Sequence, residues 1–255
     1  MAAYRSYITP NQRTILKIII PPCDKGLRKH DPFDILEAIF YIVYTGCQWN
    51  KLPMGYPPHS TVYCHYRSWS SQGYLDKALR TLVLMKREKD GQTLYPTMTI
   101  IDSQSVRTGL PQAVSGVDGG KRVKGIKRHL AVDKNGFPLG VDITTANIHD
   151  SKGAENLISN VLSEFRNIGL IKADMGYRGA FKDMPLEELG IVLECVKSNF
   201  GTSAFIPVDG RWVVERTFSW TQIYRRMMRN YELYLSSARY MTLFALIFFM
   251  LRYFA

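Results

Sequence analysis

The sequence lacks the cysteine pairs that mark disulfide frameworks and small zinc sites. It has 4 cysteines in 255 residues, and none of them forms a CxxC pair. Their spacing to the histidines fits no familiar zinc-ligand pattern. The sequence also contains no internal repeat and no low-complexity tract. We therefore expect reduced thiols in a cytoplasmic protein rather than a disulfide-linked secreted scaffold.

Long hydrophobic runs are scarce as well. The opening segment MAAYRSYITP has no apolar core of the kind found in signal peptides, so no secretion signal is expected. The one candidate membrane segment, YMTLFALIFFML, has 12 residues between Arg239 and Arg252. Spanning a bilayer takes roughly 20 residues. We therefore predict a buried C-terminal helix and no membrane partner, with a membrane anchor as the alternative.

Acidic residues are in deficit at both ends of the chain, which has a formal net charge of +11. Residues 1–90 have 13 Lys and Arg against 7 Asp and Glu, and residues 211–255 have 7 against 2. The middle, residues 91–210, is balanced at 13 of each sign. Basic ends favour a polyanionic partner such as nucleic acid, although basic surfaces also occur on proteins that bind nothing acidic. The hydrophobic content of 46% excludes a mostly disordered chain.

The first 90 residues predict a small all-helical domain. A helix is expected over 12–20, and a second has Asp31 as N-cap, Pro32 at its first position and an end near Thr45–Gly46. A third helix is predicted with Ser60 as its cap and a buried face formed by Val62, Tyr66 and Trp69. Three short helices in a basic segment suggest a helix-turn-helix-like DNA-binding domain over residues 1–90. The alternative is a helical cap on the following domain.

From residue 95 onward the pattern changes to strands that alternate with helices. PTMTIID predicts a strand that ends at Asp102, and HLAVDKNGFPLGVDITT predicts a hairpin with its turn at Asn135–Gly136. A helix over 151–166, the strand LIKAD ending at Asp174, the strand IVLECV and a long helix from about Arg211 follow. This order predicts an α/β fold over residues 95–255, with a mixed sheet flanked by helices and the C-terminal helices included.

Three acids stand where such a fold places chemistry. Asp102 and Asp174 end predicted strands, and ligands of open α/β sheets bind at the carboxyl ends of strands. The alternative for each aspartate is the capping of a loop. Glu215, the one acid in RWVVERTFSW, lies on a predicted helix face shared with Arg211, Gln222 and Arg226. Its alternative is an ordinary salt bridge with Arg211.

Three adjacent carboxylates repel one another unless a cation lies between them. Mg²⁺ and Mn²⁺ prefer carboxylate oxygens and leave coordination positions for water and phosphate. A pair of such ions supports in-line displacement at phosphorus. We therefore predict that Asp102, Asp174 and Glu215 bind Mg²⁺ or Mn²⁺, as a pair of ions.

Basic residues flank these acids and predict a phosphate-binding surface. They lie in KRVKGIKRH, in ADMGYRG and on the last predicted helix, and the candidates are Lys121, Arg122, Lys124, Lys127, Arg128, Arg178, Arg211, Arg216, Arg225 and Arg226. The alternative for each cluster is a solvated basic face. Tyr177 either stacks on a base or packs in the core.

At this point the sequence resembles the bacterial insertion-sequence transposases of the DDE type, which combine a small helical domain with an RNase H-like catalytic domain. The resemblance covers nearly the whole chain. The segments that carry it are AIFYIVYTGCQWNKLP, PPHSTVYCHYRSW, IDSQSVRTG, KRVKGIKRHLAVD, ADMGYRG and RWVVERTFSW. Two positions depart from the broader signature, since Gln222 stands where a lysine is common and Val208 where a tyrosine is common. Arg225 or Arg226 is then expected to make the lysine's contact.

The resemblance implies that Asp102, Asp174 and Glu215 are the three catalytic acids, and that Arg211 belongs to the family's arginine-glutamate signature. It implies metal-dependent hydrolysis at the ends of a mobile element, followed by attack of the freed 3′-hydroxyl on target DNA. The implied partners are double-stranded DNA, as terminal inverted repeats and target, and further copies of the chain in a homodimer or higher oligomer. The alternatives are a structure-selective nuclease and a DNA-binding protein that has lost catalysis.

Overall fold

The computed structural model describes residues 8–19, 30–181, 184–196 and 212–255. These residues form the following elements in chain order: α1 (Pro10–Ile19), α2 (Pro32–Thr45), α3 (His59–Ser71), α4 (Tyr74–Lys89), β1 (Met98–Arg107), β2 (Gly116–Asp118), β3 (Val123–Val132), β4 (Pro138–Thr145), α5 (Asp150–Gly153), α6 (Glu155–Glu164), β5 (Leu170–Asp174), β6 (Val192–Val196), α7 (Trp212–Thr221) and α8 (Leu235–Leu251). Short 3-10 turns cover Trp49–Lys51, Met175–Tyr177, Arg225–Met227 and Arg252–Phe254.

The chain divides into two compact units. The first takes its described residues from 1–82, 221–228 and 240–255, and the second takes them from 83–220 and 229–239. Helices α4 and α8 each contribute residues to both units. The assignment of residues 1–90 and 95–255 to a DNA-binding and a catalytic domain stays a prediction.

Local signals set the ends of the helices in the first unit. Helix α2 begins as predicted, because the Asp31 carboxylate accepts a hydrogen bond of 2.8 Å from the Phe33 backbone N and Pro32 opens the helix. It ends at Thr45, next to Gly46, also as predicted. The predicted cap at Ser60 is wrong. Helix α3 begins at His59, and the residue before it is Pro58, whose ring fixes a backbone angle suited to the entry of a helix.

Aromatic packing forms the core of the first unit. The Phe40 ring of α2 stacks on Phe248 of α8 at a centroid distance of 4.5 Å, and Tyr66 of α3 stacks on Phe244 at 5.6 Å. The predicted buried face of α3 is confirmed, since Val62, Tyr66 and Trp69 are at most 5% exposed. Residues 241–251 of α8 are all buried and nearly all apolar, as befits a helix inside a core.

The C-terminal apolar segment is longer than the sequence pattern indicated. Leu235–Phe254 has 20 residues and a mean hydropathy of 1.3, so its length and composition alone would allow it to cross a membrane. However, 72% of this segment is buried within the protein. A mostly buried apolar helix of this kind is typical of a protein core, which agrees with the predicted buried helix.

The prediction of one long helix that carries both Glu215 and Arg226 is wrong. Helix α7 ends at Thr221, and Arg226 lies in a separate 3-10 turn. The reason is tertiary packing around that turn. Tyr224 stacks on Phe248 at 5.3 Å, and the buried Arg226 donates from Nη1 to the Cys47 carbonyl at 3.3 Å. The predicted polar stripe shared by Glu215 and Arg226 is therefore not formed.

A mixed sheet forms the centre of the second unit, which confirms the predicted fold class. The strand order is β2-β3-β1-β5-β6, and β4 also pairs with β3. Strand β1 is antiparallel to β3 and parallel to β5, and β5 is parallel to β6. Strand β2 and helix α4 were not predicted. The polar segment KREKDGQTLYP, in which the sequence predicts the domain boundary, begins in the last turn of α4 and continues beyond it to Pro96.

The hairpin between β3 and β4 has its turn at Asn135–Gly136, as predicted. Gly136 has a φ of 87°, a conformation in which a side chain would be strained. The Asp133 carboxylate holds the turn, because it accepts hydrogen bonds from the backbone N atoms of Asn135 at 2.9 Å and Phe137 at 3.0 Å. Arg87, near the end of α4, forms a buried ion pair with the same carboxylate. The turn is therefore fixed from two sides.

Candidate active site

Asp102 and Asp174 lie next to each other on the sheet. The last paired residues of the parallel strands β1 and β5 are Ile100 and Lys172. Continuing this register by two residues places Asp102 opposite Asp174. Side chains alternate between the two faces of a sheet, so residues in register on parallel neighbours share a face. The two half-buried aspartates therefore lie on one face of the second unit's sheet.

Asp102 and Asp174 occupy different positions in their strands. The prediction that β1 ends at Asp102 is wrong, because β1 continues to Arg107 while paired with β3, and Asp102 lies opposite Leu130. Strand β5 does end at Asp174, as predicted. The Asp174 side chain accepts a hydrogen bond from the Gly176 backbone N and so caps the turn that follows.

Tyr177, in the turn after Asp174, packs in the core rather than against a base. Its side chain is 1% exposed. Burial raises the pKa of its hydroxyl well above the usual value, and the charges of Asp102, Asp150 and Asp174 raise it further. Tyr177 therefore stays neutral.

Glu215 is exposed on α7, and the structure does not bring it together with the two aspartates. The described contacts of α7 are with the β3–β4 turn, where Thr217 Oγ1 donates to the Gly136 carbonyl at 2.9 Å and Arg216 donates to the Asn135 carbonyl at 2.6 Å. Within the ranges that the structure describes, no three His, Cys, Asp or Glu side chains lie close enough to hold a metal ion. Among the described residues the three predicted acids therefore form no cluster that could hold a metal ion, and their roles stay predictions.

The two aspartates fit a hard divalent cation. Their oxygens are the donors that Mg²⁺ and Mn²⁺ prefer, and Mg²⁺ is usually bound through one or two carboxylates while it keeps several waters. Their half-buried position on one face of the sheet is compatible with ligands from solvent.

The basic segment before and within β3 divides into two environments. Lys121, Arg122 and Lys124 are exposed, whereas Lys127 and Arg128 are 7% and 4% exposed. The second half of the segment is therefore buried, and DNA binding by its residues stays a prediction. The physical reason is strand pairing, because β3 is paired with β1 on one side and β4 on the other from Ile126 onward. Burial lowers the pKa of Arg128 to about 10.

The remaining predicted phosphate ligands are distributed over other elements. Arg178 is exposed and follows Asp174 by four residues, and both lie near Cys195. Burial raises the pKa of the Cys195 thiol, although the Arg178 charge acts to lower it. Arg216 lies between the rings of Trp212 and Trp220, 4.4 Å from each centroid. Arg225 is exposed, but Arg226 is 6% exposed. Arg211 lies outside the described residues.

Sequence reasoning missed Asp118, Asp150 and His129, which are grouped with Lys127 beside β1. Ser105 Oγ donates to Asp118 Oδ2 at 2.6 Å, and Lys127 Nζ lies 2.8 Å from Asp150 Oδ1. His129 Nε2 lies 2.8 Å from Thr144 Oγ1. Both acids stand in polar connecting segments, where the capping of a turn is the ordinary expectation. No spacing in the sequence distinguishes them from such caps.

Comparison with known proteins agrees with the predicted fold class. Residues 96–202 match the family described as "Transposase DDE domain", and residues 11–79 match the family described as "Putative transposase of IS4/5 family". Asp102 and Asp174 lie inside the first match, whereas Glu215 lies beyond it.

A curated relative from Burkholderia cepacia bears the name "Putative transposase for insertion sequence element IS402". It is 31% identical over 147 residues, which cover 52% of this chain and 64% of the relative. The chain thus spans less than two thirds of that relative's length. These matches support an insertion-element transposase of the DDE type, and the mixed sheet is consistent with the RNase H-like fold of such a domain.

Proposed function

We propose that this chain cleaves DNA strands at the ends of an insertion element and joins the freed ends to target DNA. The observation that carries the proposal is the neighbouring position of Asp102 and Asp174 inside the residues that match the DDE domain. Mg²⁺ or Mn²⁺, when bound, would activate the attacking oxygen and stabilise the leaving one.

Asp102 and Asp174 hold the cation in this proposal, and Glu215 completes the ligand set. The support for Glu215 is its motif, which resembles the family's arginine-glutamate signature, and its exposed position on α7 in the same unit. The proposal requires the Glu215 carboxylate to approach the two aspartates when metal and DNA bind.

The exposed basic residues of the second unit bind the DNA backbone in this proposal. They are Lys121, Arg122, Lys124 and Arg178. The residues at 121–124 follow Asp118, which ties this loop to β1 through Ser105. Arg225 supplies a further exposed charge from the first unit.

Helix α3 is the element of the first unit that suits contact with base edges. One face of α3 is exposed and bears side chains able to donate or accept hydrogen bonds: His59, Ser60, Tyr63, Cys64 and Arg67. A hydrogen bond that the Arg67 guanidinium donates to the Tyr63 hydroxyl raises the pKa of Arg67. The opposite face packs in the core through Val62 and Tyr66. Such a two-sided helix can enter a major groove.

The proposed partners are the two terminal inverted repeats, the target DNA and at least one further copy of the chain. One chain has to hold several DNA segments during strand transfer, which favours a homodimer or a higher oligomer on DNA. A cytoplasmic location in a bacterium is part of the same proposal.

Purified protein tests the proposal with labelled duplexes that contain a terminal repeat, read from the nucleotides flanking the gene. Asp102→Asn and Asp174→Asn should each abolish Mg²⁺-dependent cleavage, while DNA affinity stays the same or rises because a negative charge near phosphate is removed. Asp90→Asn, which changes an exposed aspartate at the end of α4, should cleave like the wild type.

The products decide between this function and its rivals. Joined strands support a transposase, and cleavage without joining indicates a nuclease. Binding without cleavage by the wild type would indicate a DNA-binding protein that lacks catalysis. Full cleavage by Asp102→Asn would refute the metal site itself.

A further inference from the structure

Lys127 is a buried cation that joins three segments of the second unit. Its side chain is 8% exposed. Nζ donates to the Ile148 carbonyl at 2.8 Å, and it lies 2.8 Å from Asp150 Oδ1 and 4.0 Å from Asp118 Oδ2. Ile148 and Asp150 belong to the connection from β4 into α5, and Asp118 ends β2. A buried ammonium is stable only with such partners.

Asp118 connects Lys127 to β1. Its Oδ2 accepts a hydrogen bond of 2.6 Å from Ser105 Oγ, and its Oδ1 accepts bonds of 3.0 Å from the backbone N atoms of Gly120 and Lys121. The Ser105 bond is the main reason why the pKa of Asp118 is lowered. Asp118 is therefore charged, and it fixes β1 three residues after Asp102.

Asp150 connects Lys127 to the residues that adjoin both aspartates. Burial opposes its ionisation, but the Lys127 ammonium and the Ser103 hydroxyl outweigh burial and lower its pKa. The Ser103 hydroxyl also acts to lower the pKa of Tyr177. Ser103 Oγ and Tyr177 OH are buried and have no direct hydrogen bond of good geometry in the described part of the chain. Ser103 follows Asp102, and Tyr177 lies three residues after Asp174.

Helix α5 packs against the residues around Lys127. Helix α5 contacts the Met175–Tyr177 turn, and Gly153 lies so close to the His129 ring that a Cβ there would clash. Burial lowers the pKa of His129 to about 4, so its ring is neutral at physiological pH. The positive charge between Asp118 and Asp150 is thus that of Lys127, which occupies the place where a cation would otherwise lie.

We infer that Lys127 is a positioning residue for the candidate active site and not a ligand of DNA phosphate. Through Asp118 it holds Ser105 of β1, and through Asp150 it holds α5, which contacts the turn containing Tyr177; these contacts fix the main chain beside Asp102 and Asp174. The inference rests on the proposed role of the two aspartates as metal ligands.

A double-mutant cycle tests the inference, using Lys127→Met, Asp150→Asn and the combined variant. Single-turnover cleavage, the Mn²⁺ concentration for half-maximal rate, and DNA affinity at several salt concentrations are measured for each. Loss of a residue that orients metal ligands typically costs about 10-fold to 100-fold in metal affinity or activity. We expect such a loss for Lys127→Met, with unchanged DNA affinity and salt dependence. The combined variant should be no worse than the poorer single variant, because both act through one contact.

The matched control is the Lys86–Asp90 ion pair of α4, a lysine-aspartate pair elsewhere in the same unit. Lys86→Met and Asp90→Asn should leave the cleavage rate and the Mn²⁺ requirement unchanged. If Lys127→Met does not fold, Ser105→Ala takes its place, since it removes only the hydroxyl that donates to Asp118. Ser70→Ala, which removes a buried hydroxyl bonded to the Tyr66 carbonyl in the first unit, is its control. Ser105→Ala should raise the Mn²⁺ requirement several-fold, and Ser70→Ala should not.

Each result separates the inference from the proposed function. A wild type without metal-dependent cleavage overturns both. An active wild type with an unaffected Lys127→Met or Ser105→Ala overturns only the positioning role. A salt dependence that falls by about 0.9 units in Lys127→Met would instead identify a phosphate contact. Additive losses in the cycle would show that Lys127 and Asp150 act independently, which contradicts the inference.

Discussion

The two halves of the basic segment KRVKGIKRH have similar composition and opposite environments. Lys121, Arg122 and Lys124 face solvent, whereas Lys127 and Arg128 lie inside the second unit. The division occurs at Gly125, where β3 becomes an inner strand with partners on both sides. The same residue type can thus attract a phosphate or neutralise internal carboxylates, and strand pairing decides which of the two it does.

The largest expected effect concerns stability. Lys127→Met should lower the free energy of unfolding by about 3–5 kcal/mol, because it leaves the Asp118 and Asp150 charges without their buried partner. Lys124→Met should change it by less than about 0.5 kcal/mol, as is usual for exposed positions. Urea denaturation checks both values, provided that the slope with denaturant stays constant. Equal losses at the two positions would contradict the division of the segment.

His129, the last residue of the buried half of KRVKGIKRH, should make the free energy of unfolding depend on pH. The folded pKa is about 4, below the ordinary 6.5, so the unfolded chain takes up the proton first. The resulting stability is fully present above about pH 6.5 and is lost as pH falls towards 4, by up to about 3 kcal/mol. His129→Gln should remove this part of the pH dependence.

The control for this measurement is His59→Gln, since His59 is exposed on α3. Its unfolding free energy should follow the wild-type pH dependence. A His129→Gln variant with the wild-type slope between pH 6.5 and 4 would show that the buried ring does not govern this window.

The exposed half should respond through DNA binding. Lys121→Ala combined with Lys124→Ala should reduce the slope of log affinity against log salt by about 1.8 units, near 0.9 per phosphate contact. The unfolding free energy should change little. Fluorescence anisotropy with a labelled duplex at several salt concentrations measures the slope, and an unaltered slope would remove this loop from the DNA path.

Arg225 and Arg226 repeat the comparison on a smaller scale in the first unit. Arg225→Ala should lower the slope of log affinity against log salt by up to about 0.9 units, because Arg225 is exposed. Arg226→Ala should leave this slope unchanged. It should lower the free energy of unfolding by about 1 kcal/mol, because the buried Arg226 is bonded to the Cys47 carbonyl. Equal slopes for the two variants would indicate that burial at this turn does not decide DNA contact.

The sequence predicted most reliably those features that depend on neighbouring residues. The N-cap at Asp31, the turn at Asn135–Gly136 and the end of β5 at Asp174 are all confirmed, because capping and turn chemistry act over a few residues. The mixed α/β fold is confirmed for the same reason, since alternation of strand and helix patterns sets the fold class.

The features that depend on distant partners were predicted less well. The end of α7 at Thr221 depends on the packing of Tyr224 and Arg226 against other helices of the first unit. The length of β1 beyond Asp102 depends on pairing with β3. Of the three predicted acids, the structure brings two together, and the role of Glu215 stays a prediction.

Helix α7 contains Trp212 and Trp220, whose indole rings lie on either side of the Arg216 guanidinium, so its surroundings can be followed by tryptophan fluorescence. The chain has 4 tryptophans, and the other two, Trp49 and Trp69, belong to the first unit. With Trp49 and Trp69 replaced by phenylalanine, the tryptophan emission of the chain would come from α7 alone. Adding Mn²⁺ or duplex DNA to such a protein would then report, in real time, whether the helix that bears Glu215 changes its surroundings.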